Sequence, residues 1–283
     1  AAARQVPPRH ALDARAPRAG SHSPRPGGAS PSVGPSAPAP AGPKGLTAGI
    51  PAYWYPDAAS TAASAAVLAA PAEAVSFVIA DVTTTGTGSS VDPAWLAAVR
   101  AYRHAGVAVF GYVDTSYGRV SLASAEANVQ HWYSWYGVDG IFFDNASTDP
   151  TLAAPDAYYG RLYRYVKDMT GPGVLGTTVV LNPGTGTARP YMADADIVCD
   201  FEGTEASYAA ATPPAWTAAY APSRFWNIVY ASAGVTPMRN DVALARARGV
   251  GNVFITTLAG ANPYDAMPPG GLWEAEIAAL NAP

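Results

Sequence analysis

Two acids at the ends of short apolar runs are the residues of this chain best placed to do chemistry. Gly140-Ile141-Phe142-Phe143-Asp144-Asn145 is one run, entered through the Asp139-Gly140 turn. Ile197-Val198-Cys199-Asp200-Phe201-Glu202-Gly203 is the other. Runs of this length between turn signals read as strands buried on both faces. A carboxylate at the C-terminal end of such a strand projects into the mouth of a parallel α/β barrel, where that architecture builds its sites. Two carboxylates delivered to one rim are what cleavage of a glycosidic bond requires. One protonates the leaving oxygen and the other stabilises or attacks the oxocarbenium-like centre. The two environments must hold one group protonated and the other ionised. Glu202 as general acid and Asp144 as nucleophile or stabilising carboxylate is the first assignment, and the reverse stays open. On the residues alone, each acid could instead cap a helix or pair with an arginine.

Neighbouring positions extend the candidate site. Asp200 precedes Glu202 by two residues, so an unbroken strand would put both on one face, with Asp200 as a supporting partner or the acid itself. Glu205 is expected in the exposed loop that follows. Asp81 and Asp114 end the predicted second and third strands and Asn182 the fifth. Their polar ends suit sugar hydroxyls, or the capping of the next helix. Aromatic side chains stack on the apolar faces of pyranose rings, and Tyr53, Tyr112 and Tyr117 are the ones chosen as binding residues. Trp132, Trp135 and Tyr136 fall in a helix and are expected in the core.

The elements that must position these groups follow in order. Strands are predicted near residues 49–55, 75–82, 107–113, 141–144, 178–182, 197–202, 225–230 and 253–257. Helices are predicted near 61–70, 92–104, 121–136, 157–169, 237–248 and 272–280. Asp92-Pro93 is a helix start with a side-chain cap and a proline in the first turn. Strands alternating with helices imply a parallel sheet with right-handed crossovers. Eight units in about 238 residues favour a closed (β/α)8 TIM-type barrel over an open sheet. The first strand is not followed by Gly-x-Gly-x-x-Gly, which argues against a dinucleotide fold.

Composition divides the chain near residue 45. Residues 1–45 are rich in Pro, Ala, Gly, Ser and Arg, and a segment so poor in large apolar side chains is expected to be a disordered tail or linker. Residues 46–283 are the expected barrel. The tail carries six basic residues against Asp13, so within a chain of net charge −4 the body is acidic. An acidic body disfavours nucleic acid as a partner and suits a neutral or cationic ligand. Cys199 is the only cysteine, so no disulfide framework or cysteine-based metal site is expected. His10 and His22 lie in the tail and His104 and His131 in predicted helices, leaving no histidine metal site or triad. No apolar run reaches the ~20 residues of a membrane helix. Ala1-Ala2-Ala3 is compatible with the start left by signal-peptide removal, and secretion is the expectation.

In this order, four segments resemble the spherulin 4-like glycoside hydrolases. They are Pro51-Ala52-Tyr53-Trp54-Tyr55-Pro56, Gly111-Tyr112-Val113-Asp114-Thr115-Ser116-Tyr117-Gly118, the stretch from Trp135-Tyr136-Gly137 through Phe143-Asp144, and Phe201-Glu202. The resemblance spans roughly residues 49–280. It implies a (β/α)8 barrel without metal or organic cofactor, with Asp144 and Glu202 catalytic. It also implies endo-cleavage of α-1,4-linked N-acetylgalactosamine or galactosamine in an exopolysaccharide, by a protein expected to be monomeric. Many members of that family follow the fourth-strand Asp with Glu. Asn145 stands there in this chain, able to hydrogen-bond a sugar but not to ionise. The rival expectations are a non-catalytic carbohydrate-binding barrel and a hydrolase of the same fold acting on another glycan.

Overall fold

The computed structural model describes residues 45–57 and 61–282. The expected tail, residues 1–45, lies outside them except for Gly45. Eight parallel strands close into a barrel in chain order: β1 Thr47–Ala52, β2 Val75–Ala80, β3 Ala108–Asp114, β4 Gly140–Asp144, β5 Thr178–Leu181, β6 Ile197–Thr204, β7 Phe225–Tyr230 and β8 Asn252–Ile255. Seven α-helices are found among the described residues: α1 Thr61–Ala69, α2 Pro93–His104, α3 Leu122–His131, α4 Tyr158–Lys167, α5 Glu205–Ala210, α6 Val235–Ala247 and α7 Leu272–Leu280. The (β/α)8 TIM-type architecture expected from the alternation is the one observed.

Local chemistry explains the element ends. The Asp92 carboxylate accepts from the Ala94 and Trp95 amides, with Pro93 in the first turn of α2, a cap of about 1 kcal/mol. Beyond α3 the helix widens into a π-helical turn, Trp132–Tyr136, and stops at Gly137, whose φ is 65°. Tyr159, Leu162 and Val166 line the buried face of α4 at helical spacing. Burying a side chain such as Leu162 contributes roughly 1.5–3 kcal/mol.

The barrel interior is a plug of rings. Phe77 meets Phe110 at 5.0 Å and Trp226 at 5.1 Å, and Trp226 meets Phe142 at 5.8 Å. A Cβ on Gly49 would lie 2.3 Å from the Phe77 ring, so glycine there makes room for the plug. These rings define the inward phase of the strands. Strand register and the period of two place Tyr112, Asp114, Asp144 and Asn182 on that same phase, at its upper end.

Two expectations are corrected. The β6–β7 register shifts between Cys199 and Phe201, which is a bulge at Asp200 and breaks the alternation. Asp200 therefore bonds Asn227 Nδ2 at 2.6 Å, and Asn227 Oδ1 accepts from Tyr208 of α5 at 2.8 Å. Asp200 belongs to the layer outside the barrel, whereas Glu202 points into the mouth. Glu205 is not in a loop. It opens α5 and accepts the Ala233 amide at 2.6 Å.

Candidate active site

Asp144 and Glu202 meet at the C-terminal mouth of the barrel through one side chain. Asn182, just past β5, donates from Nδ2 to Asp144 Oδ1 at 2.9 Å and to Glu202 Oε2 at 2.7 Å. Two oxygens that share one nitrogen cannot be farther apart than those two lengths laid end to end. A nearest-oxygen approach this short is compatible with the close spacing of retaining carboxylate pairs, about 5–5.5 Å, rather than the ~6.5–9.5 Å of inverting pairs. The Asn182 carbonyl accepts the Gly184 amide at 2.9 Å, which fixes the orientation of the amide.

Each carboxylate has a second donor, a tyrosine. Tyr112 donates to Asp144 Oδ2 at 2.7 Å, and Tyr264 donates to Glu202 Oε1 at 2.7 Å. Asp144 is 2% exposed, while Glu202 is half-buried. The Cys199 thiol lies beneath them, and burial, followed by the nearby carboxylates, pushes it well above the usual thiol range. It is a neutral packing group.

A second cluster forms where β3 and β4 end. Asp114 Oδ1 accepts from Asn145 Nδ2 at 2.8 Å and from the Ser116 amide at 2.9 Å, and Oδ2 accepts the Ser116 hydroxyl at 2.9 Å. Asn145, Ser116 and Tyr117 all have positive φ, at 48°, 44° and 61°. Such conformations cost about 1–3 kcal/mol each and persist only where the surroundings impose them. Thr115 supplies that constraint, its hydroxyl lying 2.9 Å from the carbonyls of both Asp144 and Asn145. The Tyr117 amide also bonds the Asn145 carbonyl at 2.7 Å. The strained turn brings Asn145 against Asp114 and leaves Tyr117 on the rim, 40% exposed, with the Arg119 guanidinium 5.4 Å from its ring.

The remaining candidates take different positions. Asp81 follows β2 and is half-buried. The Tyr53 ring, half-buried just past β1, lies edge-on to Tyr112 at 5.7 Å and to Tyr264 at 5.6 Å. The ring of Tyr112 is itself buried, so only its hydroxyl reaches the site. Trp132 and Tyr136 are buried, and Trp135 stacks on His131 at 3.9 Å. The Trp132 indole donates to the Tyr112 carbonyl at 2.8 Å, and a Cβ on Gly111 would lie 2.3 Å from that indole. Sequence reasoning missed Tyr264. The only signal was an aromatic residue between Pro263 and Asp265 in the loop after the eighth strand. Among the described residues, no group of three or more His, Cys, Asp or Glu is arranged to hold a metal ion. No helix among them is long and apolar enough to cross a membrane.

Comparison with known proteins places this barrel in a family. The crystal structure of Sph3 from Aspergillus clavatus, in complex with GalNAc, superposes with a TM-score of 0.70. It is 21% identical, and the match covers 84% of this chain and 98% of that one. At that identity the likeness establishes a shared fold. Spherulin-4 of Physarum polycephalum is 35% identical over 99 residues, which is 35% of this chain and 28% of that protein. The match thus spans little more than a quarter of that relative. The sequence model described as spherulation-specific family 4 matches residues 48–280, the whole barrel from β1 into α7, and the chain belongs to that family.

Proposed function

We propose that this protein is a secreted, endo-acting glycoside hydrolase that retains anomeric configuration and cleaves α-1,4-linked N-acetylgalactosamine or galactosamine polymers. The observation that carries the reading is the Asn182 amide shared by Asp144 and Glu202 at 2.9 and 2.7 Å. A shared donor draws the two acids close together, which supports a double-displacement pair. Asp144, the deeper group, attacks the anomeric carbon while Glu202 gives its proton to the departing glycosidic oxygen. Glu202 then takes a proton from water, which attacks the glycosyl–Asp144 ester and releases the sugar with its original configuration. The half-exposed position of Glu202 suits a group that must admit and deprotonate the attacking water in the second step.

The choice of sugar is supported by the GalNAc present in the Sph3 complex and by the acidity of the body. Asp81, Asp114, Asp144 and Glu202 stand at or near the ends of strands β2, β3, β4 and β6, and would attract a partly deacetylated, cationic chain. Tyr117, Asn145 and Asp114 form the rim that such a chain would meet, and the protein acts as a monomer in this reading.

The test is reducing-end release from α-1,4-linked galactosamine polymers of graded acetylation, wild type beside Glu202→Gln, with the product anomer read by NMR. The expected result is release of the α-anomer by the wild type, reduced roughly 10²–10⁴-fold in the variant with polymer binding kept. Initial appearance of the β-anomer would overturn the double displacement. Binding without release from any polymer would make the protein a carbohydrate-binding barrel.

A further inference from the structure

The two-carboxylate mechanism leaves one buried phenol without a role. Tyr264 is 2% exposed in the loop after β8, and its amide is held by Asn262 Oδ1 at 3.1 Å. Its hydroxyl donates to Glu202 Oε1 at 2.7 Å. The Tyr53 amide bonds the Tyr264 carbonyl at 3.1 Å, joining the end of β1 to this loop across the seam of the barrel. The Tyr53 ring also packs edge-on against both Tyr264 and Tyr112. One ring thus wedges apart the two tyrosines that donate to the two carboxylates. Burial, followed by the charge of Glu202, pushes the Tyr264 hydroxyl well above the usual phenol range. It keeps its proton and acts as a donor throughout the working pH range.

We propose that Tyr264 is a positioning residue for Glu202, fixing the carboxyl in the cleft and favouring its deprotonated form by donating to it. The inference rests on the reading of Glu202 as the acid–base group. A glutamate has three rotatable bonds, and two donors from opposite sides, Asn182 of the β5 end and Tyr264 of the β8 loop, hold both of its oxygens. A hydrogen bond to the charged form of a carboxyl lowers its proton affinity. Titratable groups near Glu202 include Asp144 across the shared amide, Cys199 and Asp200 on its own strand, and Tyr53 behind Tyr264. All of these groups remain in place when only the Tyr264 hydroxyl is removed.

The experiment follows the Glu202 carboxyl by NMR with ¹³C-labelled glutamate, together with the pH dependence of kcat/KM. The proteins are the wild type, Tyr264→Phe and, as a control, Tyr163→Phe, which removes a hydroxyl bonded to Asp196 at 3.3 Å on the barrel's outer layer. In Tyr264→Phe, Glu202 is expected to titrate about one pH unit higher, and the basic limb of the rate profile to move up with it. kcat is expected to fall about tenfold or more with KM held within about twofold. A fluorotyrosine at position 264 keeps the ring and strengthens the donor, so it should move the titration the opposite way even if the Phe variant folds poorly. An unmoved Glu202 titration in both variants, or the same movement in Tyr163→Phe, would overturn the proposal. A wild type that releases no sugar would overturn the hydrolase reading instead, and the carboxyl titration would still decide the role of Tyr264.

Discussion

The carboxylates of Asp144, Glu202 and Asp114 at the mouth of the barrel and those of Asp194, Asp241 and Glu276 in its outer layer are set on opposite terms. At the mouth, both oxygens of Asp144, Glu202 and Asp114 accept hydrogen bonds. Outside the barrel, Asp241 Oδ2 of α6, Glu276 Oε2 of α7 and Asp194 Oδ2, in the turn before β6, have no hydrogen-bond partner among the described residues. Burial pushes Asp194 and Asp241 up to about 7 and carries Glu276 well above the usual carboxyl range. Asp200 also rises to about 7 by burial, although Asn227 donates to it. A buried acid short of donors keeps a proton to avoid an uncompensated charge. These donor-poor outer acids therefore favour the folded state fully below about pH 4, where the unfolded chain is protonated too. That contribution is lost as pH rises through about 7 and beyond. The mouth instead spends donors from four separate elements on orientation. The difference teaches where this fold holds acids for chemistry and where it merely tolerates them.

The largest expected effect tests the mouth. Asp144→Asn should reduce kcat/KM by about 10³-fold or more while the melting temperature stays within a few degrees. The Tyr112 hydroxyl can turn from donor to acceptor, so the new amide is accommodated. A large loss of stability would mean that the mouth, too, is structural. Next in size is Glu276→Gln. The carbonyl of the new amide keeps the bond to the Ile255 amide, which Glu276 Oε1 accepts at 3.0 Å. That amide needs a side chain because β1 pairs with β8 only at Thr47–Asn252 and Ala48–Val253. A neutral isostere removes the cost of a buried ionisable group. The variant should gain on the order of 1–3 kcal/mol at pH 8 and almost nothing at pH 4, read by thermal melts at both. An equal gain at both pH values would show that packing, not protonation, separates the two regions.

What the sequence revealed depended on periodicity. The runs ending in Asp144 and Glu202 are continuous and apolar between turn residues, so their strands, their order and the barrel were legible. Asp92-Pro93 marked the start of α2 because capping chemistry is local. The bulge at Asp200 was not legible, because one inserted residue leaves the apolar pattern of β6 intact while reversing its phase. Helix α5 has only six residues, too few for a repeat of 3.6 to show. Tyr264 reaches Glu202 across 62 residues from a loop with no periodicity, and only closure of the barrel brings them together. The positive φ at Asn145 was hidden for a related reason, since the residue type permits that conformation without requiring it.

The smallest effect separates donors from burial, the two causes that the comparison joins. Asn145 Nδ2 donates to Asp114 Oδ1 at 2.8 Å, and both residues are half-buried at the rim. Asn145→Asp keeps the side-chain shape, and aspartate also tolerates the left-handed backbone. The change therefore replaces a donor by a like charge and leaves burial as it was. Solvent screens such a pair, so the loss at pH 7 should be about 0.5–1 kcal/mol, a shift of roughly 1–4 °C. It should shrink in high salt. Thermal melts at low and high salt check this directly. A loss of several kcal/mol would mean that donor supply alone separates the mouth from the outer layer. A loss within the expected range would leave burial as the reason the outer acids hold their protons, and would free the rim for changes that retune sugar preference at little cost to the fold.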